Sequence, residues 1–148
     1  MTLSLINIFL LLLIMPLDLS IAKKCFFSTK YEVHVINKLP SDSPQLQIHC
    51  ASKDDDLGYN NVAIDEDFNW SFCETWFDRT LFFCHFWWGS QNKAFNVFDN
   101  AYYCVKYHGA NMNVLNYCKW EVRSDGFYLE QFNATHPSYY MDRYTGWS

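Results

Sequence analysis

Hydrophobic positions along the chain recur with a period of two, in short runs separated by polar segments, and no helix-period stretch exceeds about two turns. From Tyr31 to Ile36, Tyr31, Val33 and Val35 fall on one face of an extended strand and Glu32, His34 and Ile36 on the other, because successive strand side chains alternate. Leu46, Ile48 and Cys50 repeat the pattern against Gln45, Gln47 and His49, and it resumes at Phe68, Trp70 and Phe72 beyond the charged segment Lys53 to Gly58. Thr80 to Trp88 carries large side chains on both faces, as a strand central to a sheet does. Gly89 to Lys93 then predicts a turn, with Ala94 to Phe98 returning antiparallel. Ala101 to Tyr107 and Asn116 to Val122 follow, joined by the loop His108 to Asn113, and Ser124-Asp125-Gly126 turns the chain into Phe127 to Phe132. About eight short strands at roughly 8 to 12 residue spacing predict an all-β fold, a small antiparallel β-sandwich. His136 to Ser148 is aromatic without a clear period, and either packs as a tail or stays mobile.

The first residues obey a different rule. Leu3 to Met15 is apolar except for Ser4 and Asn7, ends at Pro16, and is far shorter than the roughly 20 residues a membrane span needs. Ser20-Ile21-Ala22 follows with small residues where a signal peptidase reads. We therefore expect a signal peptide over 1–22, cleavage after Ala22, a secreted, extracellular protein, and one domain over 23–148. Cys25, Cys50, Cys73, Cys84, Cys104 and Cys118 would all reach an oxidising compartment, where an even number predicts disulfides, with the connectivity open. No C-x-x-C or H-x-x-x-H spacing supports zinc. Asn69-Trp70-Ser71 and Asn133-Ala134-Thr135 are N-glycosylation sequons, which makes a glycoprotein the expectation, with Asn133 the better candidate.

Composition narrows the function. Of 148 residues, 18% are charged and 20% aromatic, too apolar for a disordered chain. A net charge of −5 without any basic tract argues against nucleic acid as a partner. There is no G-x-S-x-G elbow, and each cysteine has a disulfide role, so nucleophilic catalysis lacks a starting residue. For each of the five histidines a structural or surface role is expected over that of a general base, since catalysis needs a positioned partner. Asp54-Asp55-Asp56 raises calcium, but the D-x-D-x-D-G loop closed by Glu is absent, so we read a solvated turn. Neither a metal nor a small-molecule cofactor is expected. The aromatic surplus suggests a contact surface: Trp87 and Trp88 must point to opposite faces of their strand, so one is exposed if that strand has a solvent face.

The strand strings also carry a family resemblance. Val33-His34-Val35-Ile36-Asn37-Lys38-Leu39 and Leu46-Gln47-Ile48-His49-Cys50-Ala51-Ser52-Lys53-Asp54-Asp55-Asp56-Leu57-Gly58 resemble the opening of the plant self-incompatibility S-protein homologues. Trp70-Ser71-Phe72, Thr80 to Trp88, Phe95 to Asp99, Cys118 to Val122 and Asp125 to Tyr128 are similar to its later blocks, in order. The resemblance covers Val33 to Leu129 and leaves an aromatic tail over about 130–148 unaligned. It implies a secreted, disulfide-stabilised β-sandwich without catalytic activity. In that family, stigma proteins of poppy act as ligands of a pollen-surface receptor, so the partner expected here is a cell-surface receptor protein. Cys50, Cys84, Cys104 and Cys118 fall on family positions; Cys25 and Cys73 are additional and could bridge each other, which their distance would decide. Asp54, Asp55 and Asp56 also sit at a family position, as a structural or recognition loop. The competing readings are a secreted ribonuclease-like enzyme, for which His85-Phe86-Trp87-Trp88 is only superficially similar to the required block, and a membrane-acting defence protein, which the acidic charge disfavours.

Overall fold

A computed structural model describes residues 25, 28–74, 79–104, 116–133 and 135–148. The expected signal segment and the loop over 108–113 lie outside the described residues. Among the described residues, nine strands form two sheets. They are β1 (Thr29–Asn37), β2 (Leu46–Ala51), β3 (Asp56–Val62), β4 (Asp67–Glu74), β5 (Phe82–Trp88), β6 (Gln91–Phe98), β7 (Asn116–Arg123), β8 (Gly126–Asn133) and β9 (Ser138–Thr145). One helical turn, α1 (Ala101–Cys104), follows β6. The first sheet has the order β4-β1-β7-β8-β9 and the second β3-β2-β5-β6, so the all-β sandwich is the observed architecture.

Alternation places the core as the sequence predicts. Val33, Val35, Cys118, Trp120, Val122 and Phe127 of the first sheet meet Leu46, Ile48, Cys50, Phe82, Cys84 and Phe86 of the second in one buried cluster. Each such large apolar side chain contributes roughly 1.5–3 kcal/mol by leaving water. Phe86 lies with its ring centroid 4.8 Å from Phe127 and 5.3 Å from Phe95. Trp120 crosses the core and donates its indole N–H to the Val97 carbonyl at 3.0 Å, so a buried polar atom is satisfied while the sheets are pinned together. Buried Asn37 does the same at the end of β1: its Nδ2 donates to the Val62 carbonyl at 2.9 Å and its Oδ1 accepts from the Leu39 N–H at 3.0 Å.

Four features differ from the sequence reading. Residues 101–107 were expected as a strand, but Ala101–Cys104 is a helical turn and the remainder lies outside the described residues. Asp56–Val62 is an edge strand, hidden in the sequence because Asp56, Gly58, Asn60 and Asn61 have low strand propensity and only Val62 is buried. The aromatic tail contains β9, an edge strand whose exposed faces leave no alternating signal. Finally, β1 and β7 pair in parallel, with Val33 opposite Cys118, whereas every other described pair is antiparallel. A parallel pair needs a long crossover, here the chain through all four strands of the second sheet and β4 of the first, which no local pattern encodes.

Beyond β9 the chain crosses to the other sheet. Ser148 and Asn92 exchange backbone hydrogen bonds at 3.0 and 3.3 Å, and Trp147 packs against Trp88 and Phe127 while its indole N–H reaches the Arg123 carbonyl at 2.9 Å. The tail therefore straps one side of the sandwich. Gly126 makes room for it: its φ is +145°, and a Cβ there would lie 2.2 Å from the Thr145 carbonyl oxygen.

Candidate functional site

The six cysteines form three bridges, Cys25–Cys73, Cys50–Cys84 and Cys104–Cys118. Cys50 and Cys84 are cross-strand partners of β2 and β5, fully buried, while Cys104–Cys118 ties α1 to β7 and Cys25–Cys73 ties the segment before β1 to β4. Their geometry makes them scaffold.

The aspartate run divides into two parts. Ser52 organises the loop: its Oγ accepts from the Asp54 and Asp55 N–H groups at 3.3 and 3.0 Å, and its own N–H donates to the Asp55 carbonyl at 2.7 Å. Asp54 and Asp55 are exposed and line a cavity of about 350 Å³ with Leu57, Trp70, Thr80 and Phe82. Asp56 instead begins β3, where its Oδ1 accepts from the Gly58 N–H at 2.9 Å and lies 2.7 Å from His49 Nε2. The Gly58 N–H, followed by His49, holds the Asp56 carboxyl below its ordinary value. Among the described residues, no group of three or more His, Cys, Asp or Glu side chains could hold a metal ion.

The two outward sheet faces differ in chemistry. On the five-stranded sheet, charges satisfy one another: Lys30 pairs with Glu32 at 3.0 Å, Lys119 with Glu130 at 3.1 Å, and Arg123 with Glu121 at 2.6 Å. His34 Nδ1 lies 2.7 Å from Asp67, and Tyr117 donates its hydroxyl to Glu130 at 2.8 Å. Burial, then the contact with Glu130, pushes the Tyr117 phenol well above its ordinary value. This face needs no partner to satisfy its charges.

The four-stranded sheet presents rings and amides instead. His49 stacks on Tyr59 with centroids 4.5 Å apart, Tyr59 meets Trp87 at 5.7 Å, and Trp87 stacks on His85 at 3.9 Å. His49 and His85, at the two ends of this row, are themselves cross-strand partners, so the rings close into one cluster over β3, β2 and β5. Gln47 donates to Asn61 at 3.4 Å beside it, and His85 Nε2 lies 3.2 Å from Asn92 Oδ1. Tyr59 is 67% exposed and Phe83, two residues from His85 along β5, is 40% exposed. Of the adjacent tryptophans, Trp87 faces outward and Trp88 packs against Trp147. Tyr59 was missed in the sequence because its strand was missed; the signal available was its placement one turn after the His-Cys and Asp-run motifs.

Both sequons are located. Asn69 and Ser71 are exposed on β4, the edge strand of the five-stranded sheet. Asn133 ends β8 half-buried, with its Oδ1 accepting from the Thr135 and His136 N–H groups at 3.0 and 3.3 Å. Asn69 also bonds locally, its Nδ2 donating to the Asp67 carbonyl at 3.1 Å.

The fold defines a class: a small two-sheet β-sandwich cross-linked by three disulfides. The family model of plant self-incompatibility protein S1 matches residues 32–144, from β1 into β9, and the chain belongs to that family. Among curated relatives from Arabidopsis thaliana, S-protein homolog 5 is 36% identical over 83 residues, S-protein homolog 3 is 34% identical over 100, and S-protein homolog 2 is 33% identical over 111. These alignments cover 56%, 68% and 75% of the chain. They cover 59%, 63% and 66% of the relatives' own lengths, less than two thirds in each case.

Proposed function

We propose that the protein is a secreted, non-enzymatic signalling ligand recognised by a cell-surface receptor in plant reproduction, development or defence. The observation that carries this reading is membership of the self-incompatibility S1 family on a fold whose six cysteines all pair, since such bridges persist in oxidising compartments. A signal segment over 1–22 and sequons at Asn133 and Asn69 fit the same route.

The test is binding of labelled, oxidised protein, residues 23–148, to plant plasma-membrane fractions. We expect saturable binding, competed by unlabelled protein and lost after reduction and alkylation. Absence of binding across reproductive, vegetative and elicited tissues overturns the proposal.

A further inference from the structure

We propose that the outer edge of β9 pairs antiparallel with β9 of a second copy of this chain, about a two-fold axis at Met141. The pairing joins two five-stranded sheets into one continuous sheet. This goes beyond the ligand role and does not rest on it.

The state of the sheet edges leads to it. An edge strand offers unpaired N–H and C=O groups to any passing strand, and folds guard such edges unless something pairs there. Three of the four edges are guarded. β6 is bridged by Ser148, which exchanges both backbone hydrogen bonds with Asn92. β3 is interrupted by Gly58 at φ +70° and by a register shift against β2 between His49 and Ala51. β4 is tied through Cys73 to Cys25 and carries the sequon at Asn69. β9 has none of these devices. From Ser138 to Arg143 it pairs with β8 residue for residue, and among the described residues no strand lies on its other side. Tyr139 and Tyr140 stand half exposed along it.

The order of side chains about Met141 identifies the occupant as a second copy. A two-fold axis perpendicular to the sheet sets the residue n places before the axis opposite the residue n places after it in the partner, on the same face. Tyr140 then meets the partner's Asp142 on the face shared with buried Leu129, and Tyr139 meets the partner's Arg143 on the face shared with Glu130 and Tyr128. A phenol donates to a carboxylate and a guanidinium lies over a phenol ring, so both opposed pairs match, and symmetry makes each of them twice. Among the described residues neither Asp142 nor Arg143 is in an ion pair within its own copy. Other centres lose the match. An axis at Asp142 or at Arg143 brings like charges together, and an axis at Tyr140 sets Arg143 opposite Pro137, beyond the strand. A strand from an unrelated protein imposes no such symmetry on β9.

Sedimentation of the secreted, oxidised chain over a concentration series from about 1 to 500 μM tests the association. An edge-to-edge contact is small, so we expect a reversible dimer with Kd of about 1–100 μM. Tyr140→Asp sets a second carboxylate opposite the partner's Asp142, twice per dimer, and should weaken association by at least about tenfold; adding Asp142→Arg should restore it. Tyr140 is half exposed, so Tyr140→Asp should keep the parent Tm. Met141→Cys should oxidise to a covalent dimer, as the cross-strand pair Cys50 and Cys84 does within one copy, whereas Tyr59→Cys on the other sheet should not. A chain that stays monomeric throughout the series, unchanged association of Tyr140→Asp, or no covalent dimer from Met141→Cys overturns the proposal. So does a monomer whose plasma-membrane binding Tyr140→Asp abolishes, because the edge then belongs to a different protein. Loss of dimerisation with retained plasma-membrane binding supports the pairing and separates it from the receptor proposal.

Discussion

Replacing Cys104 and Cys118 together by alanine removes a bridge whose loop does not interlock with the other two, since 25–73 and 50–84 overlap only each other. The bridge spans a sequence separation of 14. In the chain-entropy account, a cross-link across that length reduces the freedom of the unfolded chain by about 3 kcal/mol at 25 °C. Cys50–Cys84 spans 34 residues, for which the same relation gives about 3.8 kcal/mol. Both of its sulfurs are fully buried between β2 and β5, so their loss adds a cavity cost that Cys104, slightly exposed, shares only in part. Urea unfolding of the oxidised proteins measures both. We expect Cys104→Ala/Cys118→Ala to lose about 3 kcal/mol and roughly 10 °C in Tm, with a steeper urea dependence because the freed chain exposes more surface when unfolded. Cys50→Ala/Cys84→Ala should lose more. A loss below about 1 kcal/mol for the first variant, or the reverse order of the two, refutes the entropic reasoning.

Other consequences follow from single contacts. Gly126→Ala should cost about 1–3 kcal/mol in chemical unfolding, because its Cβ would meet the Thr145 carbonyl in a backbone conformation that alanine rarely adopts. Trp147→Ala should cost about 2 kcal/mol and loosen the strap, read as faster amide exchange at Asn92, whose N–H bonds to Ser148. The raised Tyr117 means that the unfolded chain loses this proton first, so stability falls as pH rises above about 10; Tyr117→Phe should flatten that slope in thermal melts. The lowered Asp56 acts at the other end: its contribution is present above the ordinary carboxyl value of 3.8 and fades as pH falls below it, and Asp56→Asn should reduce that acid dependence.

The strands legible in the sequence are those with one buried face. In β1, Tyr31, Val33 and Val35 are buried between half-exposed Glu32, His34 and Ile36, and β2, β5 and β7 repeat the pattern. Burial selects side chains at every second position, so a local string suffices to find such strands and the family blocks built on them. Edge strands escape this reading. In β3 and β9 few side chains are buried, and backbone pairing with a neighbour, rather than their own pattern, makes them strands.

The candidate site was legible only in pieces. The aromatic surplus and the opposite facing of Trp87 and Trp88 could be anticipated, though not which of them faces outward, and the Asp run could be marked, but its division between a loop and a strand start could not. By itself, the sequence determined the all-β class, the alternating core and the even set of cysteines, because each depends on residue type and near spacing. Tertiary structure alone decided the parallel β1–β7 pair, the choice among cysteine partners and the meeting of His49, Tyr59, His85 and Trp87. Those are contacts between distant segments, selected by how two sheets share one core, and no short window of sequence contains the competition that settles them.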